Sequence, residues 1–313
     1  MGNDTSARPL TAQSGGDRPP SDRLTPGLYL IATPIGAARD ITLRALDLLR
    51  AADVLVAEDT RSLRRLMDIH GVAVGERPLL AYHDHNGDRM RPRLLADMAA
   101  GRVVLYASEA GTPMISDPGY DLARAARADG HAVISAPGAS AVITALTLAG
   151  LPTDRFLFAG FLPATAQARR AALEELRAVP ATLVFFESPA RVAAMLDDAA
   201  RVLGTRDAAL CRELTKKFEE IRRAPLPDLA QDCRDRPPKG EIVIVIDRGR
   251  SEKISLSDLD KKLQEAMQGL SLRDAADLVA VETGMARRQV YQRALQLANG
   301  AADAPQQGDE DGA

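Results

Sequence analysis

Between Gly27 and Ala149 one pattern recurs five times: a short apolar run, then a longer amphipathic stretch. The apolar runs at 28–32, 53–57, 79–82, 102–107 and 132–135 predict strands. The stretches 40–51, 61–70, 88–100, 119–129 and 139–149 predict helices. Repeated strand–helix units require a mostly parallel sheet covered on both faces. In such a sheet the loops at the carboxyl ends of the strands carry the ligand.

After the turn residues Leu151-Pro152 and Thr153-Asp154 the pattern changes. Strands are predicted at 156–160, 182–187, 208–212, 218–222 and 242–247, with helices at 166–178, 189–203 and 226–234. Two neighbouring strands without a helix between them imply an antiparallel component. The section 255–299 is helical throughout. Ser257 and Ser271 are placed to cap its first two helices, and Gly284 marks the turn into a third carrying Arg287, Arg288 and Arg293. That spacing fits a helix-turn-helix, and equally a helical appendage with a solvated basic face. The fold class is therefore α/β, with two α/β domains and a small helical C-terminal region. The boundaries read as a polar tail over 1–26, an N-terminal domain over 27–150, a second domain over 151–250, helices over 251–299 and an acidic tail over 300–313.

No apolar stretch approaches the roughly 18 residues of a membrane span. The start of the chain has no apolar segment of a secretory signal, so a cytoplasmic protein is expected. Two cysteines, Cys211 and Cys233, make neither a disulfide framework nor a Cys-rich metal site. Aromatics at 4% with no Trp leave no material for a broad base-stacking platform. The net charge of −3 argues mildly against an anionic partner. However, Asp303, Asp309, Glu310 and Asp311 lie in the tail, and residues 27–299 hold 37 basic and 36 acidic side chains. Any nucleic-acid site must come from local patches.

The predicted strands end in polar, Gly/Pro-rich loops. The first reads Thr33-Pro34-Ile35-Gly36, with neither a P-loop nor a G-x-G-x-x-G pattern, which counts against a pyrophosphate ligand. The second reads Glu58-Asp59-Thr60-Arg61, with Arg64 and Arg65 following; Asp59 or Thr60 is a natural helix N-cap. The third is His83-Asp84-His85-Asn86. Two histidines at i, i+2 admit a metal pair or a base near neutral pH, and no third ligand is apparent. The fourth packs two turns between Ser108 and Gly119, longer than a connection needs. The fifth, Ala136-Pro137-Gly138-Ala139-Ser140, precedes a helix whose free N–H groups suit a carboxylate.

Together these segments resemble the tetrapyrrole-methylase superfamily, and within it the ribosomal RNA small-subunit methyltransferase I family of cytidine 2′-O-methyltransferases. The resemblance rests on TPIG at 33–36, AEDTR at 57–61, HDHN at 83–86, EAGTP at 109–113, SDPG at 116–119 and GLPTDRF at 150–156. It continues through GFLPA at 160–164, FFESP at 185–189, RELTK at 212–216 and KGE at 239–241. It implies an S-adenosylmethionine site in a cleft between two α/β domains, a homodimer, no metal, and methylation of a cytidine ribose in the decoding region of 16S rRNA. By motif, the donor site falls to Pro34, Gly36, Glu109, Ala110, Gly111, Thr112, Ser140, Ala141 and Phe186. The family pattern has Asn, Asp and Pro where this chain has Ala37, Glu109 and Ala139.

A 2′-hydroxyl is a weak acid, so its proton needs an acceptor during transfer. The residues offered for that role are His83, His85, Asp59 and Glu187. Arg61, Arg64, Arg65, Arg191, Arg212, Lys216 and Lys217, with Arg222 and Arg223, are the candidates for RNA phosphates. Two other readings fit the same chain: a tetrapyrrole or other small-molecule methyltransferase, and a non-catalytic RNA-binding protein with a decayed donor site.

Overall fold

The computed structural model describes residues 24–115, 119–249, 256–283 and 285–302. The two tails, Ser116 to Pro118 of the SDPG segment, and Gly284 lie outside them. The described chain begins at Leu24, which packs on the first core, and the Thr25 carbonyl accepts a hydrogen bond from the Tyr29 hydroxyl.

The first sheet holds β1 (Gly27–Ile31), β2 (Val54–Ala57), β3 (Leu79–Ala81), β4 (Val103–Ala107) and β5 (Ala132–Ala136), all parallel, in the order β3-β2-β4-β1-β5. Its central strands are apolar at every position because both faces are covered. Along β1, Tyr29 and Ile31 enter one core while Leu28 and Leu30 enter the other. The first core is closed by α1 (Leu43–Ala51) and α2 (Thr60–Ile69), the second by α3 (Gly87–Ala99) and α4 (Gly119–Ala128).

The second sheet has the order β6-β7-β10-β8-β9, from β6 (Phe156–Phe161), β7 (Thr182–Glu187), β8 (Asp207–Arg212), β9 (Glu220–Pro225) and β10 (Ile242–Ile246). Only β6 and β7 pair in parallel; the rest is antiparallel, as the missing helix between β8 and β9 implied. The ninth strand begins two residues later than predicted, because 213–219 form a tight turn with left-handed residues at Glu213 and Thr215. One face is covered by α6 (Ala166–Arg177), α7 (Val192–Leu203) and α8 (Leu226–Asp235).

The other face is covered by α5 (Ala141–Ala149), which belongs to the first half of the chain. Val142, Ala145, Leu146 and Ala149 pack against Val184, Ala209, Cys211, Val243 and Val245. The helix buries this one face and leaves Ile143 and Thr147 exposed on the other, so it covers the sheet from one side. Arg223 fixes its far end by donating to the carbonyls of Ala149 (2.7 Å) and Leu148, where cationic groups are favoured.

The C-terminal section forms α9 (Leu256–Met267), α10 (Leu272–Thr283) and α11 (Arg287–Ala302) around a core of their own, including Leu259, Leu263, Val279 and Val290. Ser271 caps α10 by accepting from the Asp274 amide. Ser257 lies inside the first turn of α9, not at its cap.

Candidate active site

Strand order does what local sequence cannot. The loops after β4, β1 and β5 come from adjacent strands, at the point where the chain, having left β1 toward one edge, returns toward the other. Such a reversal opens a crevice at the carboxyl ends of the strands. Thr33 and Gly111 form a two-way backbone bridge there, each amide donating to the other's carbonyl at 3.0 Å. The Thr33 hydroxyl reaches the Ser108 carbonyl at 3.1 Å, and Thr112 Oγ1 donates to the Ala139 carbonyl at 3.0 Å. Ser140 caps α5 by accepting from the Ile143 amide. Pro34, Gly36, Glu109, Ala110, Gly111, Thr112, Ser140 and Ala141 thus lie on three mutually hydrogen-bonded loops.

The chemistry of these loops suits a cationic donor without phosphate. Residues 33–38, 108–115 and 136–141 carry no Lys or Arg. Glu109 is exposed and fixed by the Ser62 hydroxyl at 3.0 Å. Gly111 has φ +79 and leaves open the space that a Cβ would take against Ile35. The three departures from the family pattern become intelligible. At Ala37 and Ala139 the working contacts are backbone atoms, which any residue supplies. At Glu109 the longer side chain reaches Ser62.

The second domain meets the first loop directly. The Ala37 amide donates to Thr215 Oγ1 at 3.0 Å, and a Cβ on Gly36 would lie 2.5 Å from that oxygen and 2.8 Å from the Leu214 carbonyl. Glu213 accepts from Lys216 Nζ and the Glu241 amide, each at 3.0 Å, and Lys216 also pairs with Glu241. The Glu241 amide and the Lys216 ammonium hold the Glu213 carboxyl below its usual range. Burial disfavours the Lys216 charge, yet Glu241 and Glu213 outweigh it and raise its pKa.

The four candidate bases separate. Asp59 caps α2, accepts from the Arg61 amide at 2.8 Å and forms a two-point pair with the Arg61 guanidinium. Those bonds lower its pKa to about 2, which makes it a weak proton acceptor. Glu187 is buried on the side covered by α6, α7 and α8. Strand alternation sends Phe186 to the α5 face and Glu187 to the opposite one, where it accepts from the Ser188 amide and pairs with Arg191. His83 and His85 lie at the end of the edge strand, three strand spacings or ~14 Å from β1. Their rings are 6.0 Å apart, and His83 Nδ1 is buried with no hydrogen-bond partner among the described residues. Asn86 fixes that turn by accepting from the His83 amide and donating to the Ala81 carbonyl.

The basic residues separate as well. Arg64 and Arg65 are exposed on α2 and have no ion-pair partner among the described residues, and Lys217 is exposed beside the Phe218 ring. Arg61 is exposed but bound to Asp59. Arg191 donates to the Leu162 carbonyl at 2.5 Å. Arg212 is held by Glu220 and the Lys239 carbonyl, Lys216 by two glutamates, Arg222 by Glu220 and Asp232, and Arg223 by the end of α5. These five cations hold the fold together, so their placement as free phosphate contacts does not match their surroundings. Arg287 and Arg293 are likewise paired, with Asp277 and Asp260. Sequence reasoning passed over Ser62 and Thr215, whose partners are distant in the chain. Among the described residues no three His, Cys, Asp or Glu side chains gather as metal ligands, and no helix is long and apolar enough to cross a membrane.

Comparison with known proteins agrees with this geometry. Residues 27–230 match the family model of tetrapyrrole (corrin/porphyrin) methylases, and residues 255–298 match the RsmI C-terminal HTH domain. The solved structures of cobalt precorrin-4 methyltransferase and diphthine synthase share the fold, with TM-scores of 0.53 and 0.56 at 19% and 16% identity. Each covers 70% of this chain, which spans 94% and 89% of theirs. The ribosomal RNA small subunit methyltransferase I of Mesorhizobium japonicum is 45% identical over 89% of this chain and 94% of its own length. That of Halalkalibacterium halodurans is 42% identical over 84% and 93%. With both the catalytic-type fold and the C-terminal unit matched, the chain belongs to the ribosomal RNA small subunit methyltransferase I family.

Proposed function

We propose that this protein transfers a methyl group from S-adenosylmethionine to small-subunit ribosomal RNA, at the 2′-oxygen of a cytidine in the decoding region. The observation that carries the reading is the contiguous β4-β1-β5 loop set, free of Lys and Arg, closed by the second domain through Thr215. Pro34, Gly36, Ala110, Gly111, Thr112, Ser140 and Ala141 would hold the donor, with Glu109 near its positive charge and Phe186 contributing from the second sheet. The donor supplies a methyl group activated by its bond to a sulfonium sulfur.

In the transfer, the ribose oxygen forms a bond to the methyl carbon as the carbon–sulfur bond breaks, and the hydroxyl proton leaves. Fixed alignment of the two reactants supplies several kcal/mol in such a displacement. His83 and His85 would be the proton acceptors in this reading, because Asp59 is tied to Arg61 and Glu187 to Arg191. Arg64, Arg65 and Lys217, with Arg61, would face RNA phosphates. In this reading the acceptor strand would lie on the side of the α2 arginines, which follow the loop after β2.

The test is methyl transfer from labelled donor to small subunits from cells lacking this protein, followed by nuclease mapping. Label at one cytidine ribose supports the proposal. Label on a porphyrinoid and not on rRNA overturns it, and absence of donor binding in calorimetry points to a non-catalytic RNA-binding protein.

A further inference from the structure

Three of the six phenylalanines in the chain meet at one corner of the second sheet. The rings of Phe158 and Phe186 lie 4.8 Å apart and those of Phe161 and Phe186 5.6 Å apart, both edge-on. On a regular strand, residues three apart point to opposite faces, so Phe158 and Phe161 could not both reach Phe186. The strand is not regular there. Phe158 pairs with Val184 and Phe161 with Phe186, so three steps on β6 match two on β7. Gly160, at φ +65, takes up the extra residue. A bulge of this kind re-aims the side chain that follows it, and bulges concentrate beside active sites.

The face to which Phe161 is returned is the one that meets α5 and the first loop. Phe158 and Phe186 pack against the cluster containing Ile35 of the first loop and Val142 and Ala145 of α5. Phe161 also stands at the right end of the sheet. Glu187 and Arg212 are both level with Ile242, so the end of β7 is also the end from which the Thr215 loop crosses to Gly36. Yet Phe161 itself is 57% exposed. It is a large flat apolar ring on a strand, backed by a second ring, with one side open to water.

We infer that Phe161, supported by Phe186, is the stacking position for the nucleobase of the nucleotide being methylated. The inference rests on the methyl-transfer reading. In a single-stranded or splayed segment the base of the reacting nucleotide is unstacked, and an aromatic ring in the protein offsets the cost of that unstacking. A phenylalanine has no polar atom, so this contact positions any base, and selection of one base has to come from hydrogen-bonding groups elsewhere. A single position of this kind agrees with the scarcity of aromatics, which excludes only a broad platform.

The chain contains no tryptophan, so Phe161→Trp creates a single fluorophore at the site. Its emission should be quenched on adding unmethylated small subunits in the presence of S-adenosylhomocysteine. Phe156→Trp, at the other end of the same strand, should show no quenching. Phe161→Ala should lower kcat/KM for small subunits roughly 5- to 100-fold, through KM, while calorimetric affinity for S-adenosylmethionine stays at the wild-type value. Wild-type kcat/KM in Phe161→Ala, or a loss of donor affinity instead, overturns the inference alone. A wild-type chain that methylates no small subunit overturns the methyl-transfer reading and this inference with it.

Discussion

The amide of Ala37 donates to the hydroxyl of Thr215 at 3.0 Å, across 178 positions of sequence, and joins the first loop of one domain to a turn of the other. Thr215 adopts φ +62, and Glu213 two residues before it φ +50. A β-branched residue in the left-handed region costs on the order of 1–3 kcal/mol and persists where surrounding contacts demand it. Here the Glu219 carboxylate accepts from the Thr215 amide at 2.7 Å and holds the turn. The width of the gap between the two loops at this point is therefore set by these contacts.

Gly36→Ala tests that width. Its new methyl group would press on Thr215 Oγ1 and the Leu214 carbonyl, and overpacking of this sort costs about 1–3 kcal/mol. Calorimetry should show weakened donor binding, with a modest drop in the unfolding midpoint. Donor affinity equal to wild type would mean that the junction does not shape the site.

Arg64→Glu combined with Arg65→Glu should weaken binding to small-subunit RNA and flatten its salt dependence while leaving donor binding intact. Both side chains are exposed and unpaired among the described residues, so the fold should be unaffected. Unchanged RNA affinity would remove this helix from the RNA interface.

His83→Gln should reduce single-turnover methyl transfer by roughly 10²- to 10⁴-fold without changing donor or RNA affinity, if the ring accepts the ribose proton. An effect confined to RNA affinity would make the histidine a binding residue.

Asp198 is buried between two guanidiniums, with the buried Arg169 Nη2 at 2.6 Å and the partly exposed Arg170 Nε at 2.7 Å. Burial alone would raise its pKa, but the two guanidiniums outweigh it and hold the carboxyl below its ordinary value. The stabilisation is therefore complete above the ordinary carboxylate range and is lost as pH falls through the depressed value. Asp198→Asn leaves Arg169 buried without its counter-charge and should cost ~3–5 kcal/mol in urea unfolding at neutral pH. The difference between variant and wild type should narrow toward acid pH.

Burial pushes the Cys211 thiol up to about 12 and the Cys233 thiol up to about 11. Neither forms thiolate near neutrality, so a disulfide reagent at pH 8 should modify neither in the native protein and both after unfolding. Rapid native labelling would contradict the packing of these two positions.

Most elements are legible in the sequence because their causes are local. An all-apolar run such as 103–107 has to be buried on both sides, and Asp59 before Thr60 has to cap a helix wherever that helix packs. The base candidates were open at that level because the deciding partners are tertiary. Nothing near Glu187 says which face of its sheet meets the other domain, and only the fold shows Arg212 and Arg222 bound to Glu220.

By itself the sequence determined the alternation of strands and helices, the polar loops at strand ends and the family to which these motifs point, since each depends on residues a few positions apart. Tertiary structure alone decided three things: the β4-β1-β5 adjacency that gathers three polar loops, the packing of one face of α5 on the second sheet, and the turn of Phe161 back toward Phe186. Each depends on which distant segments share a hydrogen-bonded edge or an apolar face. Packing one face of α5 on the second sheet removes apolar surface from water that neither segment buries alone, and that long-range gain ties the two halves of the chain together.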